Sequence, residues 1–259
     1  MTLVSVLTQT PTLPTRSALE AAARELLPGV ALDWREAPSG LVLGVQGATV
    51  RLSAIAGPVP NAEADTSAFL SLSSVNGRWR LGRHAAHLAL SLDGAMQAKA
   101  SGLLGRLSGA TREATRLERL STYTRLVAAV TKAAGGLAVH WGAGPVTHAP
   151  DFFLELAKEA PLPLPLWVGV SVTPEAGGRS ALLSFGMAQL GLPDLLVEAP
   201  SKELEDALDF FFSALATAAE AGRAPAEDET IPRSLLSRPR VRYVASPVDG
   251  KSRVWKLSL

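Results

Sequence analysis

Residues 111–142 read TREATRLERLSTYTRLVAAVTKAAGGLAVHWG. Leu117, Leu120, Thr124, Val127 and Val130 recur three or four positions apart, the period of one helical face, and Gly135-Gly136 closes the run. The pattern then changes: Leu137–Trp141 is a short apolar run without polar alternation, the mark of a strand buried on both sides. The spacing predicts a helix over 111–134 feeding a strand over 137–141. The N-terminus has the complementary pattern, a strand at Leu3–Leu7 and then a helix over Thr15–Leu27. Thr15 is its cap, Leu19, Ala22, Ala23, Leu26 and Leu27 form its apolar stripe, and Pro28-Gly29 stops it. Three β-rich segments follow, Val30–Arg35, Leu41–Val45 and Thr49–Ala56, the last two hinged on the turn Gln46-Gly47.

Gly57-Pro58-Val59-Pro60-Asn61 breaks the sheet pattern and leads into a short helix and loop ending near Trp79. After Gly82 the chain starts over, with a strand at Ala85–Leu92, a loose Gly-rich stretch, and then the helix and strand above. The turn Gly142-Ala143-Gly144-Pro145 leads to a helix over Pro150–Glu159, and Leu166–Thr173 pairs with Ser180–Met187. Ser201–Ala221 is a helix with Ser201 as cap, acidic residues at its positive end and Gly222 past its last turn. A hairpin, Val241–Ala245 with Arg253–Leu257, closes around Asp249-Gly250. These elements predict an α+β fold of two ferredoxin-like halves, residues 1–82 and 83–259, each an antiparallel or mixed sheet with helices on one face.

The 259 residues, 47% hydrophobic and 19% charged, are enough for a substantial core. The formal net charge of +1 provides no global field toward nucleic acid or lipid. The absence of cysteine excludes disulfides, thiolate metal sites and thiol nucleophiles. No basic segment precedes the apolar run at residues 1–7, and Leu162–Val172 is too short and proline-broken to cross a membrane, so a cytoplasmic protein without a membrane partner is expected.

There are four histidines: His84, His87, His140 and His148. On a shared strand the spacing of His84 and His87 sends them to opposite faces, wrong for chelating one metal, and no metal or cofactor is expected. His148, Asp151 and Glu155 fall at i, i+3 and i+7, and with His140 and Trp141 they outline an alternative pocket for an enzyme or ligand sensor. Gly142-Ala143-Gly144 lies between strand and helix but lacks the remaining glycine and lysine spacing of a phosphate loop. No nucleophile elbow or zinc-helix motif is present, so catalytic residues are not assigned and the balance leans away from an enzyme.

Charge is segregated. Residues 194–229 carry ten acidic and two basic side chains, whereas 230–259 carry seven basic and one acidic. Arg238, Arg240 and Arg242, at period two, would share one strand face, giving a nucleic-acid alternative that competes with pairing against the acidic block. Trp141 and Trp167 read as core, while Trp34, Trp79 and Trp255, at element ends, read as half-exposed anchors for a protein interface.

The segments Ala86-His87-Leu88, Thr124–Ala134, Val139-His140-Trp141-Gly142, Leu166–Val170 and Phe185-Gly186-Met187-Ala188-Gln189-Leu190-Gly191-Leu192-Pro193-Asp194 resemble the bacterial domain-of-unknown-function family 4261 over about the C-terminal two thirds. The resemblance implies a bacterial cytoplasmic protein and carries over no activity. With no reaction declared, the expectation is a non-enzymatic protein that binds another protein, as an immunity or regulatory factor for a toxin or secretion system does, or that forms a homo-oligomer.

Overall fold

The structure, a computed structural model, describes residues 2–77, 79–94, 97–99, 111–234 and 237–259. Most of the Gly-rich stretch after the Ala85–Leu92 strand lies outside the described residues. The first sheet comprises β1 (Thr2–Thr8), β2 (Leu32–Ala37), β3 (Gly40–Val45), β4 (Ala48–Ala56), β5 (Ala86–Asp93), β8 (Ala138–Trp141) and β9 (Val146–His148). β6 (Gln97–Lys99) and β7 (Thr111–Glu113) form a separate ribbon. The seven strands run β2-β3-β4-β5-β1-β8-β9, every neighbour antiparallel. A second sheet, β10 (Gly169–Glu175), β11 (Arg179–Phe185), β12 (Leu195–Pro200), β13 (Arg242–Ala245) and β14 (Arg253–Ser258), runs β10-β11-β12-β14-β13. Its β12 and β14 are parallel and joined through a helical crossover, as parallel neighbours require.

The helices are α1 (Arg16–Leu26), α2 (Glu63–Ser67), α3 (Arg116–Ala134), α4 (Pro150–Glu159), α5 (Leu164–Trp167) and α6 (Leu204–Ala221). α1 forms where expected, with the Thr15 side chain accepting from the Ala18 N–H. α3 starts later than the periodicity predicts. Thr115 Oγ1 accepts from the Glu118 N–H, Glu118 Oε2 accepts from the Thr115 N–H, and this reciprocal cap sets the helix start at Arg116. Residues 111–113 are therefore strand. Leu164–Trp167 coils into a helical turn and delays β10 to Gly169, and Ser201 bonds Ser180 Oγ at 2.8 Å instead of capping α6.

The fold is α+β, but the chain does not divide near Gly82 into ferredoxin-like halves. β5, from beyond that point, is zipped between β4 and β1, so one sheet spans residues 2–148. Within it β1, α1, β4, β5, α3 and β8 follow a β-α-β-β-α-β order, but that unit straddles Gly82, and the second sheet has only α6 as a long helix. Local pattern identifies elements but not strand partners: Ala85–Leu92 and Leu137–Trp141, expected in the C-terminal half, pair with β1 in the sheet of the N-terminal strands.

One apolar core joins both sheets. Val4, Val6, Leu88, Leu90 and Trp141 meet Leu126, Val127 and Val130 of α3, and the same cluster continues through Phe153 and Trp167 to Val197, Phe211 and Trp255. Central β1 is buried on both faces: Leu7 belongs to a smaller cluster with Val59, Ala64 and Ala138 under Trp79 and Leu81. That second layer is the crossover of residues 57–84, which runs across the face opposite α1 and α3.

The sheets meet at a backbone crossing. A Cβ on Gly144 would sit 1.8 Å from the Trp167 carbonyl oxygen, and one on Gly186 would sit 2.5 Å from Gly144 Cα. Gly169 N–H donates to Gly144 O at 3.2 Å across the same point. Gly144→Ala therefore has no relaxed geometry, and its urea midpoint is expected to fall by the equivalent of about 3 kcal/mol or more. Gly142→Ala, whose Cβ would meet Leu3 O at 3.3 Å, should lose much less. Equal midpoints for the two variants would show that the crossing is not tight.

Candidate functional site

All four histidines gather where the 57–84 crossover meets the sheet. His84 precedes β5 instead of sharing it with His87, so the strand-parity expectation does not apply. His87 Nδ1 donates to Gly57 O at 2.9 Å, and Val59 N–H reaches His84 Nε2 at 3.4 Å. His140, on β8, contacts Thr147 Oγ1 through Nδ1 at 2.9 Å and lies 3.6 Å from Glu63 Oε1 through Nε2. Glu63 is set in place by a strained lead-in, with Asn61 and Ala62 both at positive φ, 57° and 52°. Burial holds the His140 pKa below its ordinary value; Glu63 opposes that shift, while His87 and His84 reinforce it.

His148 is a strut. Its Nε2 must donate to the Leu166 carbonyl at 3.2 Å, so the neutral ring accepts from Ser71 Oγ at 2.7 Å through Nδ1. Ser71 Oγ is in turn 2.7 Å from Ser73 Oγ, which accepts from the Ala149 N–H at 3.1 Å. The donors run in one direction, and ring, crossover and α5 are bonded together with no polar atom of the chain of bonds left over. Complete burial pushes the imidazole down to about 3.

The alternative pocket does not assemble. His148 belongs to β9, a strand the sequence reading missed, so the helical spacing to Asp151 and Glu155 does not apply; both carboxylates are exposed on α4 while His148 is fully buried. His140 and Trp141, adjacent on one strand, face opposite sides. Trp141 is core, edge-on to Tyr123 at 5.7 Å, with its indole N–H donated to Gln189 Oε1 at 2.9 Å. The Gly142–Gly144 turn is explained by the Trp167 carbonyl above it. Among the described residues no three His, Asp or Glu side chains are grouped so as to hold a metal ion, and no helix is long and apolar enough to cross a membrane.

The three arginines do not share a strand face: only Arg242 lies on β13, Arg240 makes an isolated bridge to Thr230 and Arg238 precedes both, and Arg240 and Arg242 are neutralised locally. Arg240 reaches Asp228 at 3.4 Å, Arg242 pairs with both Asp228 and Glu227, and Arg253 lies 3.9 Å from Glu227. The acidic partner is the loop after α6, not the helix itself. Arg238 is exposed beside them. Of the three tryptophan anchors, Trp255 is buried, its indole donating to Pro193 O at 3.2 Å, because its strand is interior to the second sheet. Trp34 is half-buried on edge strand β2 above α1, lining a cleft of about 340 Å³ with Leu27, Val30 and Leu32. Trp79 is half-buried on the crossover.

Around Trp79 lies what the sequence reading passed over. Phe69 is 84% exposed, the highest among the large apolar side chains of the described residues. With Ala68, Leu81, Asp65, Arg80 and Ser74 these two aromatics line a cavity of about 610 Å³. Ser74 Oγ is buried without a hydrogen-bond partner. The only signals in the sequence were a lone Phe and Trp in a segment without periodicity.

Compared with known protein families, curated proteins and solved structures, the chain finds no match. The resemblance to the domain-of-unknown-function family thus rests on the quoted segments alone.

Acid should loosen this region in a defined sense. A histidine whose folded pKa is depressed lets the unfolded chain bind more protons, so its contribution is complete above the unfolded value of 6.5 and is lost as pH falls toward about 3. Between pH 7 and 5, the denaturation midpoint of the wild type is expected to fall more than that of His148→Gln, which keeps a donor and an acceptor without a titrating group. Parallel declines would mean that His148 is not the acid-sensitive strut.

Proposed function

We propose that the chain is a non-enzymatic protein that binds a partner protein through the outer face of the 57–84 crossover, with Phe69 and Trp79 as anchors. The observation that carries this reading is Phe69, 84% exposed beside a half-buried tryptophan. A phenylalanine so exposed gains nothing for the fold, and aromatic side chains packed around a desolvated pocket are the groups that dominate protein interfaces. The support beneath is rigid: the crossover is tied to the sheet through His87, His148, Ser71 and Ser73. Both charge signs at the rim, Asp65 and Arg80, suit a polar border around an apolar centre. An immunity or regulatory factor for a toxin or secretion component, in a bacterial cytoplasm, is the setting in which we place such a binder. The ion pairs of Arg240 and Arg242 favour this reading over nucleic-acid binding.

Tagged full-length chain should retain a stoichiometric protein from its native extract. Phe69→Ala and Trp79→Ala are expected to weaken retention at least about 30-fold each, the scale of an interface hot spot, and Trp34→Ala to leave it unchanged. Phe69→Ala should also melt with the wild type, since little of its side chain is buried. Retention of the same protein by Phe69→Ala at wild-type strength would sink the proposal.

A further inference from the structure

The two sheets have four outer strands, β2, β9, β10 and β13, and three of them are closed. β9 is buried beneath the crossover, whose Ser73 Oγ accepts from the next residue, Ala149, at 3.1 Å. The loop after α6 lies along β13, with the Tyr243 N–H donating to Glu227 Oε2 at 3.1 Å. β10 carries Pro174, which has no N–H to offer a neighbour. β2 has neither cover nor proline, and an open strand edge is a template for another chain.

The groups that this edge offers follow from the strands beside it. Gln46 and Gly47 both take positive φ, 49° and 85°, so β3 and β4 join in a tight two-residue turn whose flanking residues, Val45 and Ala48, bond to each other. Bonding alternates along β3 from there: Val45, Leu43 and Leu41 face β4, and Gly44, Val42 and Gly40 face β2, opposite Asp33, Arg35 and Ala37. Leu32, Trp34 and Glu36 therefore turn their N–H and C=O groups outward. Their side chains share the face toward α1, where Leu32 and Trp34 line the cleft of about 340 Å³ together with Arg24. Asp33 and Arg35 share the opposite face and form an exposed ion pair at 2.7 Å.

We infer that β2 pairs with β2 of a second copy of this chain, antiparallel about a twofold axis at Trp34, so that one sheet runs through both copies. Charge selects the register. An axis one residue earlier sets Asp33 against Asp33 of the copy, one residue later sets Arg35 against Arg35, and axes farther out shorten the paired length. With the axis at Trp34, Asp33 of each chain faces Arg35 of the other, and Leu32 faces Glu36, so the outward backbone groups bond one another. Glu36 of the copy then comes over Leu32 toward Arg24, and neither Glu36 nor Arg24 has an ion-pair partner of its own among the described residues. This edge is separate from the Phe69 face, so the inference does not depend on the partner reading.

The test is analytical ultracentrifugation of the full chain. The wild type is expected to form a dimer within concentrations up to about 100 µM, and Phe69→Ala to do the same. Asp33→Arg or Arg35→Asp, each setting like charges against one another across the axis, should raise the dissociation constant at least about tenfold, and the double exchange should restore it. Both positions are exposed, so the three variants should melt near the wild type. Glu36→Pro removes only an outward N–H and should give a folded monomer. A wild type that stays monomeric throughout the range overturns the inference, and so does a dimer that a folded Glu36→Pro leaves as tight as before. A dimer that neither single exchange weakens, or that the double exchange does not restore, overturns the pairing at Trp34. Should Glu36→Pro fail to fold, the charge exchanges decide alone.

Discussion

Gly144 passes so close beneath the Trp167 carbonyl that no side chain fits between them, and the joint arrangement of the two sheets depends on that passage. Packing alone would not fix it, because apolar faces slide. What fixes it is a set of directed bonds around the crossing. Gln189 donates its amide N–H groups to Trp167 O at 2.7 Å and Gly186 O at 2.9 Å, while its carbonyl receives the Trp141 indole. Trp167 in turn donates its indole N–H to Thr124 Oγ1 at 2.7 Å, drawing α3 to the same point. A half-buried side-chain amide with its carbonyl and both N–H groups used ties three segments together, because a slip would leave polar atoms of this partly desolvated junction unpaired.

From that fixed point the order extends to the outer face. Gly169, just past the crossing, lets Leu70 of the crossover approach, since a Cβ there would lie 3.0 Å from Leu70 Cβ. His148 ties Ser71 to Leu166, one residue before the carbonyl that Gln189 holds. The segment bearing Phe69, Ser74 and Trp79 is thus anchored within a few residues of the sheet junction, although it is a loop by its sequence.

The sequence made the elements legible and left their partners hidden. Thr15, Gly135, Gly222 and Asp249-Gly250 mark boundaries through local chemistry, and α1, α4 and the closing hairpin lie close to where that chemistry puts them. The insertion of β5 between β4 and β1 joins residues thirty or more positions apart in the chain, and no local pattern encodes it. The histidines were visible as residues, but their meeting depends on a crossover with no period. Trp79, expected to be half-exposed from its place at an element end, is half-buried on the crossover. Trp255 was misjudged because an end position in sequence became an interior strand of a five-stranded sheet.

The stretch Gly186–Pro193, the most specific part of the family resemblance, and its neighbour Asp194 lie at the junction. Gly186 takes a φ of 111° against Gly144, Gln189 forms the clamp, and Asp194 Oδ1 accepts from Ser184 Oγ at 2.8 Å and the Met187 N–H at 3.1 Å. Gly186, Gln189 and Asp194 are thus all used within the fold. Burial raises the Asp194 pKa, yet its hydrogen bonds are those of a turn, not of an acid waiting for substrate. Phe69, Ser74 and Trp79 lie before Ala86, outside the stretch the resemblance covers. The residues of this stretch thus serve the join between the sheets, and Phe69 and Trp79 stand apart from that join.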